Sequence, residues 1–297
     1  MRSMNGTVAF FLIGFSILFG VAAAQMAPGQ DTVDYLLEQG DRAFIGKNYM
    51  DALKAYDQAI DLDPKFATSY VQRGVVFGNM GQYDNAIKDF TKAINLDSSV
   101  GIAYYSRALA FERKGQPDSA IADYGMAITN EPQNGSAHFN RGILLYKKGL
   151  YDQAIDDYQK AIKTKPNDER IYINLGHAYM AKKALDLAEK NYSQAIKINS
   201  GSADGHYYRG LALYDLTRYE EAIAEFRKTI EVNPNYINAY FNLGATLEWM
   251  KRYDEAIDAF NQYIKKASVT DGTKIQNVQN EIKNIEGKKK RAAEQGK

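Results

Sequence analysis

The 297-residue chain contains no cysteine, which removes disulfides, thiolate metal sites and cysteine nucleophiles together. Histidine is scarce: His138, His177 and His206 are the only three, and no two stand at a metal-ligand spacing. An excess of charge is also missing. With 37 basic and 36 acidic residues the formal net charge is +1, so no broad field favours nucleic acid, an anionic membrane or an acidic substrate. No phosphate loop, nucleophile elbow or zinc motif is present. Carboxylates such as Asp156-Asp157 and Glu220-Glu221 are plentiful but recur on what reads as a solvated face. With no convergent set of titratable groups, the chain reads as non-enzymatic, with no catalytic residue, metal or cofactor.

Long apolar runs are absent with one exception. Arg2 precedes an apolar stretch over residues 8–21 that ends in Ala22-Ala23-Ala24 before Gln25, the pattern of a signal peptide over residues 1–24. The alternative is an uncleaved membrane anchor, because residues 8–24 approach a spanning length. No basic stop-transfer cluster follows, and no cysteine stands at the cut to carry a lipid. Either form puts the remainder outside the cytoplasm, periplasmic or secreted, with residues 25–32 as a short linker.

What the chain has is a repeat. Gly40, Gly74, Gly142, Gly176, Gly210 and Gly244 are spaced by 34 or its double, and Ala108 fills the gap. With this small residue as position eight, seven repeats of 34 residues run without insertion: 33–66, 67–100, 101–134, 135–168, 169–202, 203–236 and 237–270. Twelve residues after each small residue comes Ala52, Ala86, Ala120, Ala154, Ala188, Ala222 or Ala256, as close crossing of two helices requires. One turn later on the same face an aromatic follows: Tyr56, Phe90, Tyr124, Tyr158, Tyr192, Phe226 or Phe260. Proline or serine then ends the second helix, from Pro64 to Ser268.

These residues resemble the tetratricopeptide repeat, whose pattern combines an aromatic, a glycine, an alanine and a terminal proline at these spacings. The resemblance implies an all-α fold: a right-handed superhelical solenoid of seven helix-turn-helix repeats. Two departures suggest less regular turns, Lys182-Lys183-Ala184-Leu185 in repeat five and Pro117 in repeat three. Position 27, alanine in the first five repeats, becomes Thr229 and then Tyr263, which marks repeat seven as the last standard one. Ile275, Val278, Ile282 and Ile285 then recur at helical steps, predicting a capping helix over residues 271–287. Residues 288–297, with Lys288-Lys289-Lys290-Arg291, read as a frayed basic tail.

Arg73, Arg107, Arg141 and Arg209 hold position seven in four repeats, and the same repeats carry Asp89, Asp123, Asp157 and Glu225 at position 23. Elsewhere both partners vanish together, as in Leu243 with Ala259. The matched losses assign the row to salt bridges within each repeat rather than to an anion ladder. His138 and His206 occupy position four, where other repeats place Leu36, Tyr70, Tyr104, Tyr172 and Tyr240, and read as packing substitutes.

In similar proteins the first helices line a concave groove with positions two, five, six, nine, twelve and thirteen. Those positions point to Tyr105, Phe139, Asn140, Tyr146, Ile173, Asn174, His177, Tyr207, Tyr208, Tyr214, Phe241, Asn242 and Trp249 as a protein- or peptide-binding surface. Gln72, Asn140, Asn174 and Asn242 at position six resemble a carboxamide ladder for an extended peptide; frequency of asparagine at that position explains them equally well. The expected function is a scaffold that binds a client protein. Self-assembly into a homo-oligomer and a membrane-tethered assembly factor remain alternatives, the membrane entering only if the N-terminal segment is retained.

Overall fold

A computed structural model describes residues 30–267 and 272–295; the expected signal segment, residues 1–24, lies outside them. Fifteen α-helices account for the described residues, which divide into two compact bodies, one ending at Leu145 and the other beginning at Tyr146.

In the N-terminal body α1 (Gln30–Ile45) pairs with α2 (Tyr49–Leu62), α3 (Ala67–Asn79) with α4 (Tyr83–Leu96), and α5 (Gly101–Arg113) with α6 (Pro117–Asn130). The body ends in α7 (Gly135–Lys147), whose Ala137 and Leu144 join the core of Tyr104 and Tyr124. The C-terminal body holds α8 (Tyr151–Thr164), then the pairs α9 (Glu169–Ala181) with α10 (Leu185–Ile198), α11 (Ala203–Asp215) with α12 (Tyr219–Val232), and α13 (Ile237–Trp249) with α14 (Tyr253–Lys266). Last comes α15 (Gly272–Gln295), packed on α14. Two expected boundaries shift. The first helix starts at Gln30, inside the expected linker. The capping helix does not stop near residue 287 but continues through the basic run.

The position-eight glycines make room for the aromatic ring of the second helix. A Cβ on Gly176 would lie 2.5 Å from the Tyr192 ring, and one on Gly210 2.7 Å from Phe226. Tyr56, Phe90, Tyr124, Tyr158, Tyr192, Phe226 and Phe260 are all essentially buried, as are the position-20 alanines. Each buried ring contributes about 2 kcal/mol by removal of apolar surface from water. Val278 and Ile285 of α15 are buried against the last pair, together with Tyr263, so the helix closes the apolar end that Tyr263 marks.

All seven turns place one residue in the left-handed region: Lys47, Gly81, Gly115, Gly149, Lys183, Thr217 and Lys251. The turns of repeats three and five are therefore as regular as the rest. The cause lies in the main chain. Gln116 N donates to Phe111 O at 2.9 Å and Gly115 N to Glu112 O at 3.0 Å; Ala184 N donates to Tyr179 O at 2.9 Å and Lys183 N to Met180 O at 3.0 Å. This is the paired closure of a Schellman cap, which satisfies the last carbonyls whichever side chain is present. Pro117 stands at the first position of α6, where a missing N–H costs nothing.

The arginine row is part of the scaffold. Arg73 binds both oxygens of Asp89 at 2.8 Å, Arg107 binds Asp123 at 2.6 and 2.8 Å, and Arg209 reaches Glu225 at 2.6 Å. Each also reaches the preceding repeat, Arg73 to Asp57, Arg107 to Thr91 and Arg209 to Glu189. The pairing of Arg141 with Asp157 would join the two bodies and stays an expectation. The position-four side chains bond in the same way. Tyr70 donates to Pro64 O and Tyr240 to Pro234 O, while the Nε2 atoms of His138 and His206 stand 3.3 and 3.2 Å from Pro132 O and Ser200 O. The two histidines thus substitute for tyrosine as donors to the residue six positions back.

Candidate protein-binding groove

In the N-terminal body the expected groove residues are Tyr105, Phe139 and Asn140. Tyr105 is buried, its ring 5.7 Å from Tyr124. Asn140 Nδ2 donates to the hydroxyls of Tyr105 and Tyr124 at 3.2 and 3.3 Å, and Tyr124 donates onward to Glu112. Burial, reinforced by the Glu112 carboxylate, pushes the Tyr124 phenol well above its ordinary range. Tyr105 and Asn140 are therefore joined to each other across 35 residues, one repeat apart. Phe139 is half-buried.

The C-terminal body repeats the device. Asn242 Nδ2 donates to Tyr207 Oη at 2.9 Å, and Tyr207 is buried with its ring 4.7 Å from Tyr236. Tyr236 donates to Asp204 at 2.9 Å. Asn174 differs: its Nδ2 donates to Arg170 O at 2.8 Å within α9. Asn140, Asn174 and Asn242 thus each spend an N–H on the scaffold. Their side-chain oxygens keep no protein partner among the described residues and remain open as acceptors.

His177 Nδ1 lies 2.8 Å from Tyr192 Oη, and its ring meets Tyr208 edge-on at 4.2 Å. Burial lowers its pKa to about 4, against a weak opposing pull from Asp204, so the imidazole is neutral near pH 7 and serves as a polar partner rather than a charge. Tyr208 stacks on Tyr192 at 5.9 Å. Tyr146 and Tyr214 sit at helix ends, each 5.4 Å from the tyrosine that opens the next helix, Tyr151 and Tyr219. Ile173 is half-buried. Two candidates stay open to solvent: Phe241 is 41% exposed and Trp249 64% exposed.

Beside Phe241 the helices α13, α14 and α15 enclose a cavity of about 540 Å³, walled by Asn238, Ala245, Glu248, Tyr263, Val278 and Glu281 among others. Sequence reasoning missed its α15 wall. The available signal was that Val278 follows Gly244 by 34 residues, which puts α15 in the register of an eighth first helix. Among the described residues no group of three or more metal-ligating side chains converges, and no helix is long and apolar enough to cross a membrane.

Family models support the repeat assignment directly. A model described as TPR repeat matches residues 40–81, 144–183, 176–216 and 210–248, and models described as tetratricopeptide repeat match 67–99, 102–134 and 238–268. No curated protein matches the chain. Among solved structures, the C-terminal part of a TPR repeat-containing protein from Cytophaga hutchinsonii is 18% identical, with 83% of this chain and 98% of that one covered and a TM-score of 0.68. YrrB, described as a TPR protein with an unusual peptide-binding site, is 23% identical over 63% of this chain and 97% of its own, with a TM-score of 0.60. MamA is 26% identical over 59% of this chain and 95% of its own, with a TM-score of 0.53. With family models spanning most of residues 40–268, the chain belongs to the tetratricopeptide repeat family.

Proposed function

We propose that this protein is an exported, non-catalytic scaffold that holds an extended segment or a helix of a client protein against the first helices of its C-terminal body. The observation that carries the reading is the exposure of Trp249 and Phe241 at groove positions of α13, the helix that also carries Asn242 with its side-chain oxygen open. Large aromatic rings left in water on a packed scaffold are the usual anchors of a protein interface, and carboxamide oxygens can accept from a peptide backbone. The description of YrrB as a peptide-binding member agrees with it. Export is supported by Arg2, the apolar stretch over residues 8–21 and the alanines before Gln25.

The test is crosslinking in intact cells with mass-spectrometric identification of partners, repeated on a variant carrying alanine at Asn174, Tyr208, Tyr214 and Trp249. Loss of the same partners from the variant is expected; their retention would end the groove model. Intact mass of the purified protein reports whether residues 1–24 are removed, and an uncleaved mass would favour a membrane-tethered factor.

Self-association is favoured by a separate observation: Tyr35, Ile45, Met50 and Leu62 are each more than half exposed, and all lie in the first repeat. Sedimentation across concentrations decides it, since a strictly monomeric protein excludes it.

A further inference from the structure

The cavity at the end of the C-terminal body has an ordered chemistry along its length. On α13, Asn238, Phe241, Ala245 and Glu248 form one stripe, and Lys274, Asn277, Val278 and Glu281 form the facing stripe of α15. Phe260 and Tyr263 of α14 make the floor, with Phe241 meeting them at 5.8 and 5.6 Å between ring centres. Carboxamides and Lys274 stand at one end. At the other end, two helical turns or roughly 10 Å along α15, stand Glu248 and Glu281.

Those two carboxyls lie within reach of a single ammonium. Burial, helped by Glu281 and opposed by Lys288, raises the Glu248 carboxyl above its usual range. An ammonium already fits there: Lys288 Nζ lies 2.6 Å from Glu248 and 3.9 Å from Glu281. One lysine against two acids leaves a carboxyl to spare. Asn284 donates to Glu281 at 3.1 Å, and Lys289 is engaged by Asp254; Lys274 stays at the far end.

We propose that this cavity is a subsite for an arginine of the client, its stem lying along Phe241, Ala245 and Val278 and its guanidinium between Glu248 and Glu281. A planar fork of five donors matches two adjacent carboxyl groups better than a second ammonium does. The extended arginine side chain bridges most of the distance between the acid pair and Asn238 and Asn277, which leaves those carboxamides next to the client backbone. The assignment rests on the groove reading and names the chemistry at one end of it.

The probes are fluorescein-labelled dodecapeptides, identical except for a central arginine, citrulline or leucine, titrated by anisotropy against the full chain. Citrulline keeps the shape of arginine and lacks the charge. The arginine peptide is expected to bind at least tenfold more tightly than either of the others, with the preference reduced in high salt. The Glu248→Gln/Glu281→Gln variant should bind all three alike. The subsite is refuted if citrulline or leucine matches arginine, if the preference survives in the double variant, or if the arginine peptide shows no binding up to millimolar concentration. The variant at Asn174, Tyr208, Tyr214 and Trp249 leaves the acid pair untouched. Loss of clients there, with no arginine preference in the unaltered protein, would keep the groove and remove only the subsite.

Discussion

Arg107 grips Asp123 through two parallel hydrogen bonds of 2.6 and 2.8 Å, and its remaining terminal nitrogen reaches Thr91 of the preceding repeat at 2.9 Å. One side chain thus ties the two helices of its own repeat and fastens them to the repeat before. Asp123 is buried, so removing Arg107 alone leaves an uncompensated carboxylate. Arg107→Leu should cost about 3 kcal/mol, the usual penalty for breaking a buried pair from one side. The double variant Arg107→Leu/Asp123→Ala copies Leu243 and Ala259 of repeat seven and should be more stable than the single one. Guanidinium melts of the unaltered protein, both single variants and the double variant check it, and additive losses would contradict the pairing.

The turn geometry predicts a gain. Thr217 has φ 61°, a left-handed conformation that a β-branched residue adopts only under strain. Thr217→Gly should stabilise the C-terminal body by about 1 kcal/mol, the steric relief less the added freedom of the unfolded chain. Gly115→Ala, where φ is 70°, should destabilise by a similar amount. Thermal melting of both variants measures this, and a loss on Thr217→Gly would mean that the threonine side chain holds the turn in a way its backbone angles do not reveal.

A proton-linked effect follows from His177. Its folded pKa of about 4 lies below the ordinary histidine value of 6.5, so between these values the unfolded chain binds a proton that the folded one does not. Stability from the neutral imidazole is whole above about pH 6.5 and declines as pH falls toward 4, by at most about 1.4 kcal/mol per pH unit. His177→Leu places there the residue that position nine already has at Leu109 and Leu211. Unfolding midpoints from pH 4.5 to 7 should flatten in that variant, although loss of the Tyr192 partner lowers its stability throughout by about 1 kcal/mol. An unchanged acid slope would place the titration elsewhere.

The repeats were legible because each element is set by neighbours within its own 34 residues: glycine against aromatic ring, alanine at the crossing, proline or serine at the stop. Arg107 and Asp123 were legible too, since both members of that pairing vary together from repeat to repeat. The fate of the groove candidates was not. Tyr105 and Asn140 stand 35 residues apart, and a tyrosine beside a carboxamide on a first helix looks the same in sequence whether it faces a ligand or the next repeat. The basic run after Ile285 has no apolar stripe to announce a helix. Lys288 bound to Glu248 and Lys289 bound to Asp254 hold it in place, and both acids belong to the preceding helix pair. Lys183 offered no glycine for its turn, yet the backbone closure requires only the conformation.

The same Tyr–Asn link gives the last prediction, because it separates a scaffold role from a binding role. Asn242 donates to Tyr207 at 2.9 Å while its side-chain oxygen stays open. Tyr207→Phe removes the acceptor and leaves the carboxamide; Asn242→Ala removes both the bond and the open oxygen. A double-mutant cycle on stability should give a coupling of about 1 kcal/mol, typical of one partly buried hydrogen bond. Client capture should divide differently. If the open oxygen accepts from a client backbone, Asn242→Ala weakens capture at least fivefold more than Tyr207→Phe at matched stability. Equal effects on capture would mean that Asn242 acts through the scaffold alone and that the position-six carboxamides pair with tyrosine rather than with a ligand.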